Sequence, residues 1–184
     1  ISDCLVGSEM CIRDRFSGLF LYDAAMLFLG IDLGASALKL ILIDATGSPV
    51  AHIAAPVDTL NPTLGTFATA EQDPSAWLIT LETLLDNLFS NSPFKPEDIT
   101  ALSITAGTHI AVLCDDDMHP IRNAIMWSDQ RAASIMSKLT TSKDMIVAES
   151  LHAPNPTWTL AHLAWLTEND PEAMHKTQMI LPAK

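Results

Sequence analysis

One stretch near the start of the chain, residues 27–44 with the sequence LFLGIDLGASALKLILID, constrains the fold more than any other. It contains two short apolar runs, Leu27–Ile31 and Leu38–Ile43, and each has the length of a buried strand. Asp32 ends the first run, and the residues Gly34–Ala37 between the runs are too small to fill a core. The pattern predicts a β-hairpin with a carboxylate at the end of its first strand.

A hairpin of this kind has two possible uses. Backbone N–H groups approach phosphate closely where side chains are small, Ser36 can donate a hydroxyl hydrogen bond, and Asp32 can hold Mg²⁺ through water. The other interpretation is an ordinary structural hairpin with a glycine turn, and the segment alone does not separate the two. A dinucleotide-binding turn is excluded, because a second strand rather than a helix follows the glycines.

The overall composition excludes several classes of function. The net charge of −12 argues against a nucleic-acid or anionic-membrane surface, since those partners require clustered Lys and Arg. No uncharged apolar run reaches membrane-spanning length, because Asp23 and Asp32 interrupt the most apolar window, residues 16–43. The cysteines have neither metal-site spacing nor the even number of a disulfide framework; they are Cys4, Cys11 and Cys114. We therefore expect a soluble, acidic, cytoplasmic protein.

Residues 1–25 differ in character from the rest, because they mix Cys, Met, Arg, Asp and Gly without helical or strand periodicity. We interpret their first part, ISDCLVGSEMCIRDR, as linker or assembly sequence fused upstream of a natural start at Met26. The alternative is a signal peptide, but a positive n-region, a continuous apolar h-region and a small-x-small cleavage site are lacking. The prediction is a non-native extension at 1–25 and a domain at 26–184.

Strand and helix patterns follow one another along the remaining residues. The predicted elements are a third strand of a β-meander at 50–57, a loop at 58–72, a helix at 74–89 begun by Asp73 and Pro74, strands at 99–105 and 110–114, a strand-like run at 124–127, helices at 130–139, 143–150, 155–166 and 172–176, and a strand edge at 179–182. The 155–166 helix is apolar around most of its cylinder, which predicts that it is buried.

Polar residues lie at three turns, and those at two of the turns are candidates for chemistry. His109 follows the strand at 99–105 in a small-residue turn, where it is either a structural histidine or a ligand contact. Asp129 precedes the helix at 130–139 and is either its cap or a binding carboxylate. The acidic triplet Asp115–Asp117 predicts a solvated hairpin tip, because consecutive carboxylates point apart and no ligands follow at calcium-loop spacing.

Four motifs, in this order and spacing, resemble the N-terminal domain of the FGGY carbohydrate kinases over residues 27–184, and most closely the xylulokinase-like branch. They are GIDLGAS at 30–36 followed by Lys39, AEQDP at 70–74 followed by Trp77, AGTHIA at 106–111, and WSDQR at 127–131. The resemblance implies an α/β, actin-like or ribonuclease-H-like fold, a mixed sheet with flanking helices. This chain would be the incomplete first domain of a two-domain kinase that closes over ATP and a sugar.

The resemblance also implies site residues. Phosphate and Mg²⁺ would meet the hairpin, with Asp32 as the metal residue and Lys39 in support; the set is Asp32, Gly34, Ala35, Ser36 and Lys39. The sugar would bind at the later turns, where the resemblance implies four contact residues: Thr108, His109, Asp129 and Glu71. The match to the family pattern is looser at Glu71 than at the others. The aspartate that acts as general base and the second domain are expected beyond Lys184, so the chain alone is expected to be inactive. Its expected partners are ATP, a sugar, the missing C-terminal domain and a second copy in a homodimer of the full-length parent.

Two positions depart from the family pattern. Threonine is usual where Ala35 stands, which removes one hydroxyl donor to phosphate, and Gln-Met usually precedes the histidine where Gly107 and Thr108 stand. A pentulose such as xylulose is the substrate that the resemblance implies. The alternative is a non-catalytic ATP-binding or regulatory module of the same superfamily, in which the hairpin and His109 survive as structure only.

Overall fold

The first three strands form an antiparallel meander in the computed structural model, which describes residues 26–62 and 67–184. They are β1 (Leu27–Leu33), β2 (Ala37–Ile43) and β3 (Pro49–Pro56). Alternate residues of β1 and β2 are buried, because successive side chains of a strand point to opposite faces of the sheet. The meander is therefore the one that the sequence predicts, while the prediction for residues 1–25 lies outside the described residues.

A long helix, α1 (Pro74–Ser90), follows a two-residue strand, β4 (Glu71–Gln72). The Asp73 carboxylate accepts a hydrogen bond from the Ser75 N–H at 2.8 Å, which confirms the predicted helix start. One face of α1 packs on the sheet through Trp77, Leu84 and Leu88. The prediction of a loop through Gln72 was wrong for β4, because a two-residue strand depends on a distant partner that local polarity does not reveal.

The fourth strand of the main sheet is β5 (Ile99–Ala106), which pairs parallel with β1 and gives the strand order β3-β2-β1-β5. A parallel pair needs a crossover connection, and the segment containing α1 supplies it. The carboxyl ends of β1 and β5 therefore lie side by side, with Leu33 opposite Ala106. The two turns that carry most of the predicted site residues begin at this edge of the sheet.

The remaining residues form a smaller layer. Two short antiparallel pairs join β6 (Ala111–Cys114) to β8 (Met179–Pro182) and β4 to β7 (Ala124–Ile125). The helices are α2 (Met136–Thr141), α3 (Lys143–Ser150), α4 (Thr159–Asn169) and α5 (Pro171–Lys176). Within the described ranges, no helix combines the length and the apolar character needed to cross a bilayer.

Several predicted boundaries differ from the structure. The strand-like run at 124–127 stops at Ile125, and the helix predicted at 130–139 begins as a 3-10 turn, Arg131–Ile135, before α2. The helix predicted from 155 begins at Thr159, because the Asn155 side chain accepts the Thr157 N–H at 2.9 Å and forms a local turn. Its predicted burial was also wrong in part, since only one stripe of α4 is buried and Leu160 is 49% exposed.

Candidate functional site

Two turns meet at the carboxyl ends of β1 and β5. Asp32 lies opposite Lys39 on β2 and opposite Thr105 on β5, and the Gly107 N–H donates to the Leu33 carbonyl at 3.2 Å. Ligands of open α/β sheets commonly bind outside the carboxyl ends of such strands. The fold thus brings the predicted phosphate-binding turn and the predicted sugar-binding turn to one edge.

The hairpin edge carries an exposed ion pair. The Asp32 carboxylate accepts a hydrogen bond from Lys39 Nζ at 3.3 Å, and the two side chains are 44% and 58% exposed. Exposed pairs of this kind hold their partners weakly, so both groups remain available to a ligand. No group of three or more metal-ligating side chains occurs among the described residues. A single accessible carboxylate nevertheless suits Mg²⁺, which keeps waters and substrate phosphate oxygens as its other ligands.

The tip of the hairpin is hydrogen-bonded to the protein on one side and exposed to solvent on the other. The Ala35 carbonyl accepts a hydrogen bond from Gln72 Nε2 at 2.7 Å, and the Gly34 N–H donates to the Ala37 carbonyl at 3.0 Å. A Cβ atom at Gly34 would lie 3.1 Å from that same carbonyl oxygen, so the turn is tight as well as anchored. Ala35 and Ser36 remain exposed on the other side. The turn is therefore a fixed and accessible surface of small residues.

An ion network lies next to β4 and is called the buried ion network below. It is composed of the buried residues Glu71, Asp129 and Arg131 and of Arg122, which is partly exposed. Asp129 is 0% exposed, and its two carboxylate oxygens accept the Ala70 N–H at 2.7 Å and the Arg131 Nε and Nη2 groups at 2.9 and 2.8 Å. Arg131 Nη1 and Arg122 Nη2 both donate to Glu71 Oε1, each at 2.7 Å. The network ties β4, the 3-10 turn and the segment before β7 together.

The electrostatics of the network favour its charged form. Burial alone would raise the pKa of Asp129, but hydrogen bonds from Arg131 and from the Ala70 N–H outweigh it, so the pKa is lowered. Burial alone would lower the pKa of Arg131, but its bonds to Asp129 and Glu71 raise it instead. Asp129 and Glu71 thus have internal partners here, and a direct sugar contact by either residue stays a prediction.

The second turn presents an exposed histidine in an unusual backbone conformation. His109 has φ 60°, which places a non-glycine residue in the left-handed region. A Cβ atom at Gly107 would lie 2.8 Å from Ile110 Cδ1 and 3.7 Å from Trp127 Cδ1, so a larger residue here would require the Ile110 side chain to shift. Trp127 is 50% exposed, and Thr108 is exposed beside His109. The turn therefore offers hydroxyl and imidazole groups next to an aromatic wall.

Sequence reasoning missed the residues that connect the two turns to the interior. Gln72 is 0% exposed and, besides Ala35, contacts Trp77 through a 3.0 Å bond from the indole N–H to its side-chain oxygen. His162 on α4 lies 3.3 Å from the Asp129 carbonyl oxygen, and burial lowers the pKa of its imidazole. For the ion network, the sequence does carry one signal. Asp129 and Arg131 lie two residues apart in an apolar context, which is typical of a paired charge rather than of an exposed ligand.

Comparison with known proteins gives consistent matches over most of the chain. The family model described as the FGGY family of carbohydrate kinases, N-terminal domain, matches residues 27–184. Xylulose kinase of Lactococcus lactis subsp. lactis is 30% identical over 157 residues, which are 85% of this chain and 31% of that protein. Xylulose kinase of Bacillus subtilis is 31% identical over 157 residues, with the same shares of 85% and 31%.

Solved structures agree with the sequence matches. The crystal structure of a xyloylose kinase from Brucella ovis superposes with a TM-score of 0.79 at 27% identity, and covers 86% of this chain and 32% of that one. The likeness confirms the predicted fold class, an actin-like or ribonuclease-H-like mixed sheet with flanking helices. The chain spans about a third of the length of the relatives that it matches, 31% of each of the two xylulose kinases.

Proposed function

The chain belongs to the FGGY family of carbohydrate kinases, and we propose that it forms the N-terminal part of an enzyme that transfers the γ-phosphate of ATP to a sugar hydroxyl. The observation that carries this proposal is the meeting of two turns at one sheet edge, with the accessible Asp32 on one side and the exposed His109 on the other. A pentulose such as xylulose is the proposed substrate class, and the xylulose kinases among the relatives support it.

Phosphoryl transfer requires an aligned nucleophile, a held metal ion and neutralised phosphate charge. In this proposal Asp32 holds Mg²⁺ through water, and the bound ion neutralises charge on the phosphates. The small side chains of Gly34, Ala35 and Ser36 let the backbone approach the phosphates, and Lys39 can turn from Asp32 toward them. On the neighbouring turn Thr108 and His109 hydrogen-bond sugar hydroxyls, which orients the acceptor.

Two parts of the machinery are proposed to lie outside these residues. We propose that a general-base aspartate and an adenine-binding domain belong to the rest of the parent protein, and the 31% share of the matched xylulose kinases that this chain covers supports a further domain. We accordingly propose that residues 26–184 alone do not catalyse transfer. The proposed location is the cytoplasm, where ATP is available and where an acidic protein with few cysteines fits the reducing conditions.

The test is a coupled assay of ATP consumption by the full-length parent protein. Xylulose is compared with glycerol as a simple polyol and gluconate as a sugar acid, and kcat/KM should be highest for the pentulose. The matched control is the segment 26–184, which should show no sugar-dependent turnover. If calorimetry detects nucleotide binding but no sugar heat, and the parent turns over no sugar, the kinase proposal is wrong and a regulatory module takes its place.

A further inference from the structure

The imidazole of His109 is packed against an aromatic ring to which the proposed chemistry gives no role. The rings of His109 and Trp158 lie with centroids 4.9 Å apart and an interplanar angle of 11°, which is a stacked arrangement. His152 meets Trp158 edge-on, at 5.2 Å and 86°. Trp158, the residue before α4, thus covers one face of the histidine that belongs to the β5 turn.

Stacking fixes the plane of the imidazole and leaves its edge open. Both ring nitrogens of histidine lie on the rim of the ring, so a partner on the face blocks neither of them. His109 remains exposed despite the contact. Its backbone is already fixed by the left-handed φ of 60° and by the neighbouring buried Ile110. Trp158 restricts the side-chain torsions that remain, so that the nitrogens face a defined direction.

Trp158 is itself well placed to act as a fixed support. Its backbone N–H donates to the Asn155 carbonyl at 3.2 Å, and its backbone carbonyl accepts the backbone N–H of His162 at 3.0 Å in the first turn of α4. The His162 ring in turn contacts the Asp129 carbonyl oxygen of the buried ion network. The stacked pair is therefore connected to the rigid interior rather than to a free loop.

We propose that Trp158 is a positioning residue for sugar binding, which acts by holding the His109 ring in the orientation that meets a sugar hydroxyl. This inference rests on the proposed function, because it assigns a support to the residue proposed to contact the sugar. It differs from a packing role in one respect. If Trp158 acts through His109, its removal affects the sugar and not the nucleotide, and only while His109 is present.

The test uses the full-length parent with Trp158→Leu and Trp158→Phe. The leucine variant should raise KM for the pentulose about fivefold, the loss expected when one aromatic pair is removed. We expect kcat and KM for ATP to stay within about twofold, because a ground-state contact is lost rather than one made only in the transition state. The phenylalanine variant retains a stacking face and should recover most of the affinity. Leu160→Ala, an exposed truncation two residues further on, is the matched control and should leave all three constants unchanged.

A double-mutant cycle with His109→Ala completes the test. In the His109→Ala background the Trp158→Leu change should have no further effect on KM for the sugar. Additive effects of the two substitutions on KM would overturn the positioning role, and so would a Trp158→Leu protein that unfolds at lower temperature yet keeps its KM for the sugar. In either case, sugar-dependent turnover by the wild-type parent would leave the kinase proposal intact. Absence of sugar-dependent turnover in the wild-type parent instead overturns the proposed function and this inference with it.

Discussion

The hairpin edge and the buried ion network use the same kinds of charged group in opposite ways. Asp32 and Lys39 form an exposed pair at 3.3 Å, with side chains 44% and 58% exposed, whereas Asp129 and Arg131 are 0% and 2% exposed and share several bonds of 2.8–2.9 Å. An exposed pair adds little stability and stays free to bind a ligand. A buried pair cannot lose one partner without leaving a charge in the interior. The hairpin edge is thus suited to binding, and the network to holding the frame.

Removing the central cation of the network should give the largest effect. Arg131→Met leaves the buried Asp129 carboxylate without its cation and removes one of the two arginines that donate to Glu71, so we expect a loss of about 3–5 kcal/mol in the free energy of unfolding. Urea denaturation followed by circular dichroism measures it. The control is Lys138→Met, which breaks an exposed pair with Glu168 and should cost less than about 1 kcal/mol. Equal losses in the two variants would contradict the distinction between the regions.

The link between the two regions should give the next largest effect. Gln72→Leu removes the bonds of a fully buried amide to the Ala35 carbonyl and to the Trp77 indole N–H. Groups left unpaired in the interior cost about 1–3 kcal/mol, and the hairpin tip should exchange its amide hydrogens faster. Denaturation and hydrogen exchange measure the two consequences. Gln178→Leu, which changes an exposed amide, is the control and should alter neither the free energy of unfolding nor the exchange at the tip. Unchanged exchange at the tip in Gln72→Leu would show that Gln72 does not stabilise the turn.

The comparison also explains what the sequence could and could not predict. The meander and α1 follow from local alternation and from the Asp73-Pro74 start, and both were predicted. The turns at Asp32 and His109 were predicted too, because small residues after a buried strand are a local signal. The network depends on pairs 51 and 60 residues apart, such as Glu71 with Arg122 and with Arg131, and no local pattern encodes those. The family resemblance implied a sugar contact for Asp129, which stays a prediction, whereas the burial of this carboxylate is set by tertiary packing that the sequence does not reveal.

Lowering the pH should reduce the free energy of unfolding through two buried groups, His162 and Asp129. Burial lowers the pKa of His162, so below its ordinary value near 6.5 the unfolded chain binds a proton that the folded chain does not. Stability should therefore fall as pH drops from about 6.5 toward the folded-state pKa, with a slope of at most about 1.4 kcal/mol per pH unit. The lowered pKa of Asp129 adds a second loss below its ordinary value of 3.8.

Denaturation curves between pH 5 and 8 isolate the histidine component. His162→Gln should flatten the dependence, and His175→Gln, an exposed change on α5, should leave it as in the wild type. A wild-type chain whose stability is constant over this range would contradict the assignment to His162.

The smallest effect on stability, and the sharpest test of the hairpin edge, should come from Asp32→Asn. Its exposed pair with Lys39 contributes about 0–1 kcal/mol, so the free energy of unfolding should hardly change. Calorimetric titration of the full-length parent should nevertheless show about tenfold weaker binding of Mg·ATP, since the carboxylate proposed to hold the ion through water has been replaced by a neutral amide. Glu82→Gln, an exposed carboxylate on α1, should leave nucleotide affinity unchanged. A variant that loses stability but keeps its affinity for Mg·ATP would show that Asp32 is a structural residue. Exposure would then not distinguish a binding carboxylate from the structural carboxylates of the buried ion network.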